Sequence, residues 1–402
     1  MKRPVYINDF SLCCILGSDE AQVLDSLTNG KRGTFTTYDV AGVMRPAATI
    51  DPATLAPVPE QKFDNRVNRL SQAAFSGIEN TIRKAVEKFG TDRVGIFLGS
   101  CDNGSEASMA ALKCFKETGA FPEGYVLDYQ RADFPAQFIA ERFGITGILS
   151  VHSTACASSA SAFVSARNNL YAGNCDVAIV GGVDIASLSV ILGFASLEAM
   201  SDKPTNPFSA NRSGLTLGDA AVFFVVTKEP CVDLCTAKCE GLKVVGFGES
   251  ADADHITAPR ADGEGAYQAM KAALNDAGLD ASQIGYVNLH GTGTELNDAM
   301  ESRAINRLFG EANHADVPVS STKALTGHTL GAAGALELAF CCMALKNDVL
   351  PAHLFDGVVD PNLPPVHLVK PGETAKDLKY CMSNSFAFGG CNVSLIVENG
   401  LA

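Results

Sequence analysis

The feature that most constrains this chain is a set of short apolar runs bounded by glycine. Val94-Gly-Ile-Phe-Leu-Gly99, Val177-Ala-Ile-Val-Gly-Gly182, Ala221-Val-Phe-Phe-Val-Val226, Tyr286-Val-Asn-Leu289 and Val393-Ser-Leu-Ile-Val397 are continuous rather than alternating. A strand apolar on both faces belongs to a sheet that is covered on both faces. Amphipathic stretches at 68–89 and 265–277 supply covering helices. The implied class is α/β, with sheets layered between helices. The Pro- and Thr-rich segment 38–61 reads as an irregular loop.

A faint internal repeat refines that picture. Ser150-Val-His-Ser-Thr154 and Val319-Ser-Ser-Thr322 each run into a helix rich in Ala, Ser or Gly. Val94 to Gly99 likewise resembles Ile284 to Gly291. The two pairs keep the same order, at offsets of 168 and 190 residues. They imply a duplicated α/β half with its junction near residue 240, giving units 1–240 and 241–402. Small side chains let two helices approach closely, so the pair is expected to form a rigid central layer between two sheets.

Composition sets the outer bounds. At 402 residues the chain exceeds what one core usually organises. A hydrophobic fraction of 47%, a charged fraction of 19% and a mean hydropathy of +0.11 exclude a disordered chain. A net charge of −14 argues against nucleic-acid binding, which needs cations to displace counterions from phosphates. Thirteen cysteines in so long a chain point to a reduced, cytoplasmic protein rather than a disulfide scaffold. The N-terminus, broken at Asn8 and Asp9, does not read as a signal peptide. The charge-free run between Arg142 and Arg167 holds six Ser, two Thr and His152, so it reads as a buried helix, not a membrane span.

Cys156 stands apart from the other cysteines. It lies at a strand-to-helix switch, Ser153-Thr-Ala-Cys-Ala-Ser158, where free N–H groups and the helix dipole favour a thiolate. His290 emerges at the carboxyl end of a buried strand, followed by Gly291-Thr-Gly-Thr294, and that edge is where open α/β sheets place their sites. Lys323 and His328 precede the second small-residue helix. If the repeat holds, that loop converges on the Cys156 loop. Ser383-Asn-Ser-Phe-Ala-Phe-Gly-Gly-Cys-Asn392 suits a tight turn whose N–H groups face a ligand beneath an aromatic lid.

Taken together, Thr154-Ala-Cys-Ala-Ser158, His290-Gly-Thr-Gly-Thr294, Lys323 to His328, Asn384 to Gly390 and the Pro207-Phe208 to Gly214 block resemble the elongating β-ketoacyl-acyl carrier protein synthases of types I and II. These belong to the thiolase superfamily, and the resemblance runs from about residue 99 to 399. It implies a duplicated thiolase-like fold with five α-β-α-β-α layers. It also implies a decarboxylative Claisen condensation that extends an acyl chain by two carbons.

By the same resemblance, Cys156 carries the acyl chain, and His290 and His328 stabilise the enolate left by malonyl decarboxylation. Lys323 and Glu301 orient the histidines. The N–H groups of Cys156 and Phe388 form an oxyanion hole, with Phe388 as a gate, and Thr292 and Thr294 contact pantetheine. No cofactor and no metal are implied, because the substrates travel on the carrier's phosphopantetheine. The implied partners are acyl carrier protein and a second ketosynthase-like chain, as homodimer or heterodimer. Apolar stretches at 177–182 and 187–197 fit such an interface. The carrier is acidic, as is this chain, so docking needs a local cationic patch. Arg66, Arg69 and Arg212 are the candidates.

Gly218-Asp219-Ala-Ala221 and Ala387 through Cys391 depart from the housekeeping pattern, which points to a specialised branch such as aryl polyene or polyketide clusters. Two alternatives remain: a thiolase using Cys391 as its second thiol, and a poorly active partner subunit. Cys231, Cys235 and Cys239 at four-residue spacing read as a packing stripe, since structural zinc sites usually take a fourth protein ligand and CxxC-type loops, and no His lies close in sequence. His152 reads as an interior histidine. GxGxxG and P-loop signatures are missing, so no nucleotide site is indicated.

Overall fold

A computed structural model describes residues 2–101 and 104–401. Its topology is a duplication. Strands Val5–Cys14, Val94–Gly99, Leu149–His152, Val177–Asp184 and Ala220–Thr227 lie in the spatial order third-second-fourth-fifth-first. Strands Leu242–Ala251, Tyr286–Asn288, Pro318–Ser320, Tyr380–Phe386 and Cys391–Asn399 repeat that order. Within each set the first four strands run in one direction, and the fifth, lying between the first and the fourth, pairs antiparallel with both. The two first strands pair antiparallel, Val5 with Val244 and Tyr6 with Lys243, and His367–Leu368 adds an eleventh strand.

The helices Ser158–Ala172 and Ala333–Asn347 lie between the two halves of this sheet. The first packs on Val94–Gly99 and Val177–Asp184 and also reaches Cys391–Asn399; the second packs on Tyr380–Phe386 and Ala220–Thr227. Every residue from Ala333 to Leu345 is buried. Their small side chains allow the close crossing that the sequence implies. A Cβ on Gly334 would sit 2.8 Å from that of Ala160, and the Ala335 N–H donates to Ser159 Oγ at 2.9 Å. Arg66–Phe75, Glu79–Phe89 and Phe134–Phe143 cover one outer face, and Glu264–Ala277 and Glu295–Glu311 cover the other. The result is five layers, α-β-α-β-α.

Three expectations need correction. Segment 38–61 is not wholly irregular, because Thr36–Val40 and Val43–Ala48 form a hairpin. Its turn residues Ala41 and Gly42 both have positive φ, the geometry that matches the twist of paired strands. The charge-free run before Arg167 is strand Leu149–His152, then a turn, then helix. Strand Val177–Asp184 is wholly buried and offers no outer surface, whereas Leu188, Leu192 and Leu197 are exposed. One described stretch, Leu330–Asn347, is long and apolar enough to cross a bilayer, but 89% of it is buried in the centre of the protein.

Strand Val94–Gly99 ends against the N-terminus of helix Ser158–Ala172 with no room to spare. A Cβ on Gly99 would lie 2.1 Å from Ser159 N and 2.4 Å from Ser158 C, both backbone atoms that cannot move alone. Gly99→Ala should therefore cost about 1–3 kcal/mol or more through overpacking. Gly310 lies in a helix with open space around it, so Gly310→Ala should be neutral or stabilise by about 0.5–1 kcal/mol. Urea unfolding of both variants checks the pair; equal midpoints would refute the close-contact reading.

Candidate active site

Each half contributes one elbow. Ala155, with φ +47, opens the 3-10 turn Ala155–Ala157 that carries Cys156 into helix Ser158–Ala172. Leu330, with φ +56, opens the matching turn Leu330–Ala332 two residues after His328. Left-handed backbone is uncommon for residues with a Cβ, and here it occurs at equivalent points of both halves. The elbows face each other across the central layer. His328 Nε2 lies 2.8 Å from Cys156 Sγ. His290 follows strand Tyr286–Asn288, and its ring stands edge-on to that of His328 with centroids 5.3 Å apart. The Sγ and one nitrogen of each ring all lie within 4.8 Å of one another.

Burial dominates the electrostatics. Cys156, His290 and His328 are 6%, 2% and 1% exposed. Desolvation, followed by the Lys323 ammonium, holds both imidazoles well below the usual histidine range, so they are neutral at pH 7. Desolvation also pushes the Cys156 thiol up to about 11, while Lys323 and the backbone N–H groups of Phe388 and Cys156 pull it down. The expected helix-stabilised thiolate is thus corrected: the loss of water around the sulfur outweighs the dipole. Those same two N–H groups converge where the sulfur sits.

Lys323 and Glu301 are both buried close by, yet neither touches an imidazole in the way the resemblance implies. Glu301 accepts from the backbone N–H groups of His290 and Gly291, each at 2.7 Å, so it fixes the loop rather than the ring. Lys323 pairs with Glu337. Glu337 escaped the sequence reading, although a lone carboxylate in the otherwise apolar run from Ala333 to Leu345 was the available signal. Burial raises Glu301 and Glu337 to about 7. Among the described residues, none hydrogen-bonds to the buried Nδ1 atoms of His290 and His328.

Two cavities meet at Cys156. One, of about 360 Å³, is lined by His290, His328, Thr292 and Thr294; the Thr292 and Thr294 hydroxyls are 3.0 Å apart. The other, of about 510 Å³, is apolar and lined by Val190, Gly193 and Leu330. Phe194 and Phe388 border both, their rings stacked at 6.0 Å. Phe388 follows strand Tyr380–Phe386 and precedes the positive-φ pair Gly389 and Gly390. Phe194 was not singled out in the sequence, because nothing local marks a half-buried helical phenylalanine as part of a site.

The arginines proposed for docking are all ion-paired within the chain. Arg66 pairs with buried Asp219 and with Glu106 at 3.1 Å, and only 10% of its side chain is exposed. Asp219, a departure from the housekeeping pattern, also accepts from the N–H groups of Ala186 and Ile50. Arg212 is 8% exposed and pairs with Asp360 at 2.5 Å. Arg69 is held through two hydrogen bonds to Asp64, both 2.6 Å. Arg66 and Arg212 are thus buried structural ion pairs rather than free docking cations, whereas Arg69 keeps a partly exposed side chain. Cys391 borders neither cavity and lies against Thr154 and Ser161. His152 is half-buried beside Ser150. Cys231 and Cys235 flank the turn at 232–234 and Cys239 closes a short 3-10 segment, so the three do not lie along one helix.

Comparison with known proteins agrees with this arrangement. Residues 25–230 match the N-terminal domain and residues 242–355 the C-terminal domain of the β-ketoacyl synthase family. A 3-oxoacyl-[acyl-carrier-protein] synthase 2 of Staphylococcus aureus is 30% identical over 84% of this chain and 86% of the relative. Nodulation protein E of a Rhizobium species is 31% identical over 98% and 99%. A putative mitochondrial 3-oxoacyl-[acyl-carrier-protein] synthase of Schizosaccharomyces pombe is 37% identical over 67% of this chain and 66% of its own length. Among solved structures, a chain of the complex between a ketosynthase (ApeO) and its chain length factor (ApeC) from Xenorhabdus doucetiae superposes with a TM-score of 0.90. It shares 34% identity and covers 99% of this chain and 98% of its own. The chain belongs to the β-ketoacyl synthase family.

Proposed function

We propose that this protein condenses an acyl thioester with a malonyl thioester on acyl carrier protein, extending the chain by two carbons. The observation that carries the proposal is Cys156 Sγ 2.8 Å from His328 Nε2, with His290 beside it and two cavities meeting at the sulfur. In the first step the thiol attacks the acyl carbonyl and passes its proton to His328, which returns it to the departing pantetheine thiolate. The N–H groups of Cys156 and Phe388 take the developing oxyanion. In the second step malonyl thioester enters, loses CO2, and leaves an enolate whose oxygen receives hydrogen bonds from both imidazoles. The enolate carbon attacks the acyl group and the Cys156 thiolate departs, to be reprotonated from solvent.

Neutral rings suit this sequence. A neutral His328 accepts the thiol proton at Nε2 in the first step, and both rings act as hydrogen-bond donors to the enolate oxygen in the second. Thr292 and Thr294 line the pantetheine channel, the apolar cavity takes the acyl chain, and Phe388 stacked on Phe194 separates the two. The half 1–240 supplies the nucleophile and 241–402 the histidines. We further infer that no cofactor beyond the carrier's phosphopantetheine takes part and that the protein is cytoplasmic. A homologous second chain would cover the apolar face of Met109, Leu112, Leu188 and Leu192, which is exposed here.

Two measurements test these roles. His328→Ala should slow malonyl thioester decarboxylation by about 10²–10³ through loss of one oxyanion donor. Cys156→Gln should keep decarboxylation while abolishing condensation. Normal decarboxylation by His328→Ala would refute the two-histidine mechanism. Alkylation by iodoacetamide, followed on the Cys156 peptide, should speed up continuously across roughly pH 7–10, because a raised thiol pKa keeps the thiolate scarce below it. A plateau reached by pH 7 would show a thiolate already formed in the resting enzyme.

A further inference from the structure

We propose that Cys156, His290 and His328 form a zinc site in the acyl-free enzyme, because three buried ligand atoms lie within 4.8 Å of one another beside an open cavity. Zinc takes Cys and His ligands tetrahedrally at about 2.3 and 2.0–2.1 Å, which sets donor separations of roughly 3.3–3.6 Å. The Cys156–His328 contact of 2.8 Å must open and the widest separation must close, each by about 1 Å, within the reach of side-chain rotation. Three protein donors leave the fourth position free, and the cavity lined by Thr292 and Thr294 admits water there.

The protonation states and charges are compatible with the ion. Neutral imidazoles present lone pairs, and the thiol proton leaves to solvent through the cavity as the Zn–S bond forms. Zinc thiolate adds one net positive charge beside Lys323, while the buried carboxyl groups of Glu337 and Glu301 lie in the same region. What the site lacks is support for the rings. Among the described residues none accepts from Nδ1 of His328, the nitrogen left over once Nε2 faces the sulfur, whereas metal-bound histidines ordinarily donate that N–H. Missing partners of this kind weaken metal affinity about 10–100-fold each. The site therefore fits reversible capture rather than a structural metal, and an occupied site leaves no free sulfur to acylate.

Metal binding is read without turnover, so the test stands apart from the condensation reading, on which only the inhibitory consequence rests. The full-length enzyme is dialysed against zinc sulfate alone and assayed for bound metal; Co2+ in its place reports ligation by a thiolate charge-transfer band. The expected result is one ion per chain, the band abolished in Cys156→Ala, and binding weakened at least about tenfold in His328→Ala and in His290→Ala. Circular dichroism verifies that each variant is folded. Cys231→Ala, far from the cluster in the chain, should bind as the wild type does. Zinc should also protect Cys156 from iodoacetamide, reversibly with EDTA. No stoichiometric binding, or binding and a charge-transfer band unchanged in folded Cys156→Ala, would overturn the proposal whether or not the enzyme condenses thioesters.

Discussion

The rest of this structure depends on the close crossing of two central helices, which meet through alanine, serine and glycine. Gly334 against Ala160 leaves no space for a larger side chain, and Ser159 ties the two helices with a hydrogen bond. That contact sets the distance between the halves. Each helix begins at an elbow with one residue in left-handed backbone, so the crossing also sets the distance between the elbows. Cys156 and His328 meet because two copies of one structural device meet. The chemistry is built from symmetry and then differentiated: one elbow holds a thiol, the other is preceded by an imidazole.

Water exclusion is the second constraint. A buried site strengthens every hydrogen bond that the N–H groups of Cys156 and Phe388 can offer to a developing oxyanion. The same burial raises the thiol and lowers the imidazoles, leaving a neutral pair in the resting state. The nearby ionisable groups are the buried Lys323–Glu337 pair and Glu301, which is tied to the His290 loop. Removing one member of such a pair strands the other, which makes the pair a framework for the site as well as part of its field.

Much of this was legible in the sequence. The continuous apolar runs and paired Ser-Thr-to-helix segments carried the layered fold, because burial on both faces leaves a direct mark on composition. Cys156, His290 and His328 were legible because each sits at the end of a recognisable strand or before a small-residue helix. The thiol's protonation was not, since a helix terminus is visible in sequence while the burial around it depends on residues more than a hundred positions away. Arg66 and Arg212 misled for the same reason. Their carboxylate partners, Asp219 and Asp360, lie 153 and 148 residues distant, so structural pairs read as free cations. Glu337 shows the converse, a charge out of place in a helix that was read only for packing.

The account's central claim is that Cys156 is the covalent carrier of the acyl chain. The most direct measurement is the intact mass of the enzyme after exposure to an acyl-carrier thioester, with the adduct mapped by peptide sequencing. The account requires a single acyl increment, located on Cys156 and lost on addition of malonyl thioester. An increment on another residue such as Cys101 or Cys391, or condensation without any acyl-enzyme, would contradict it.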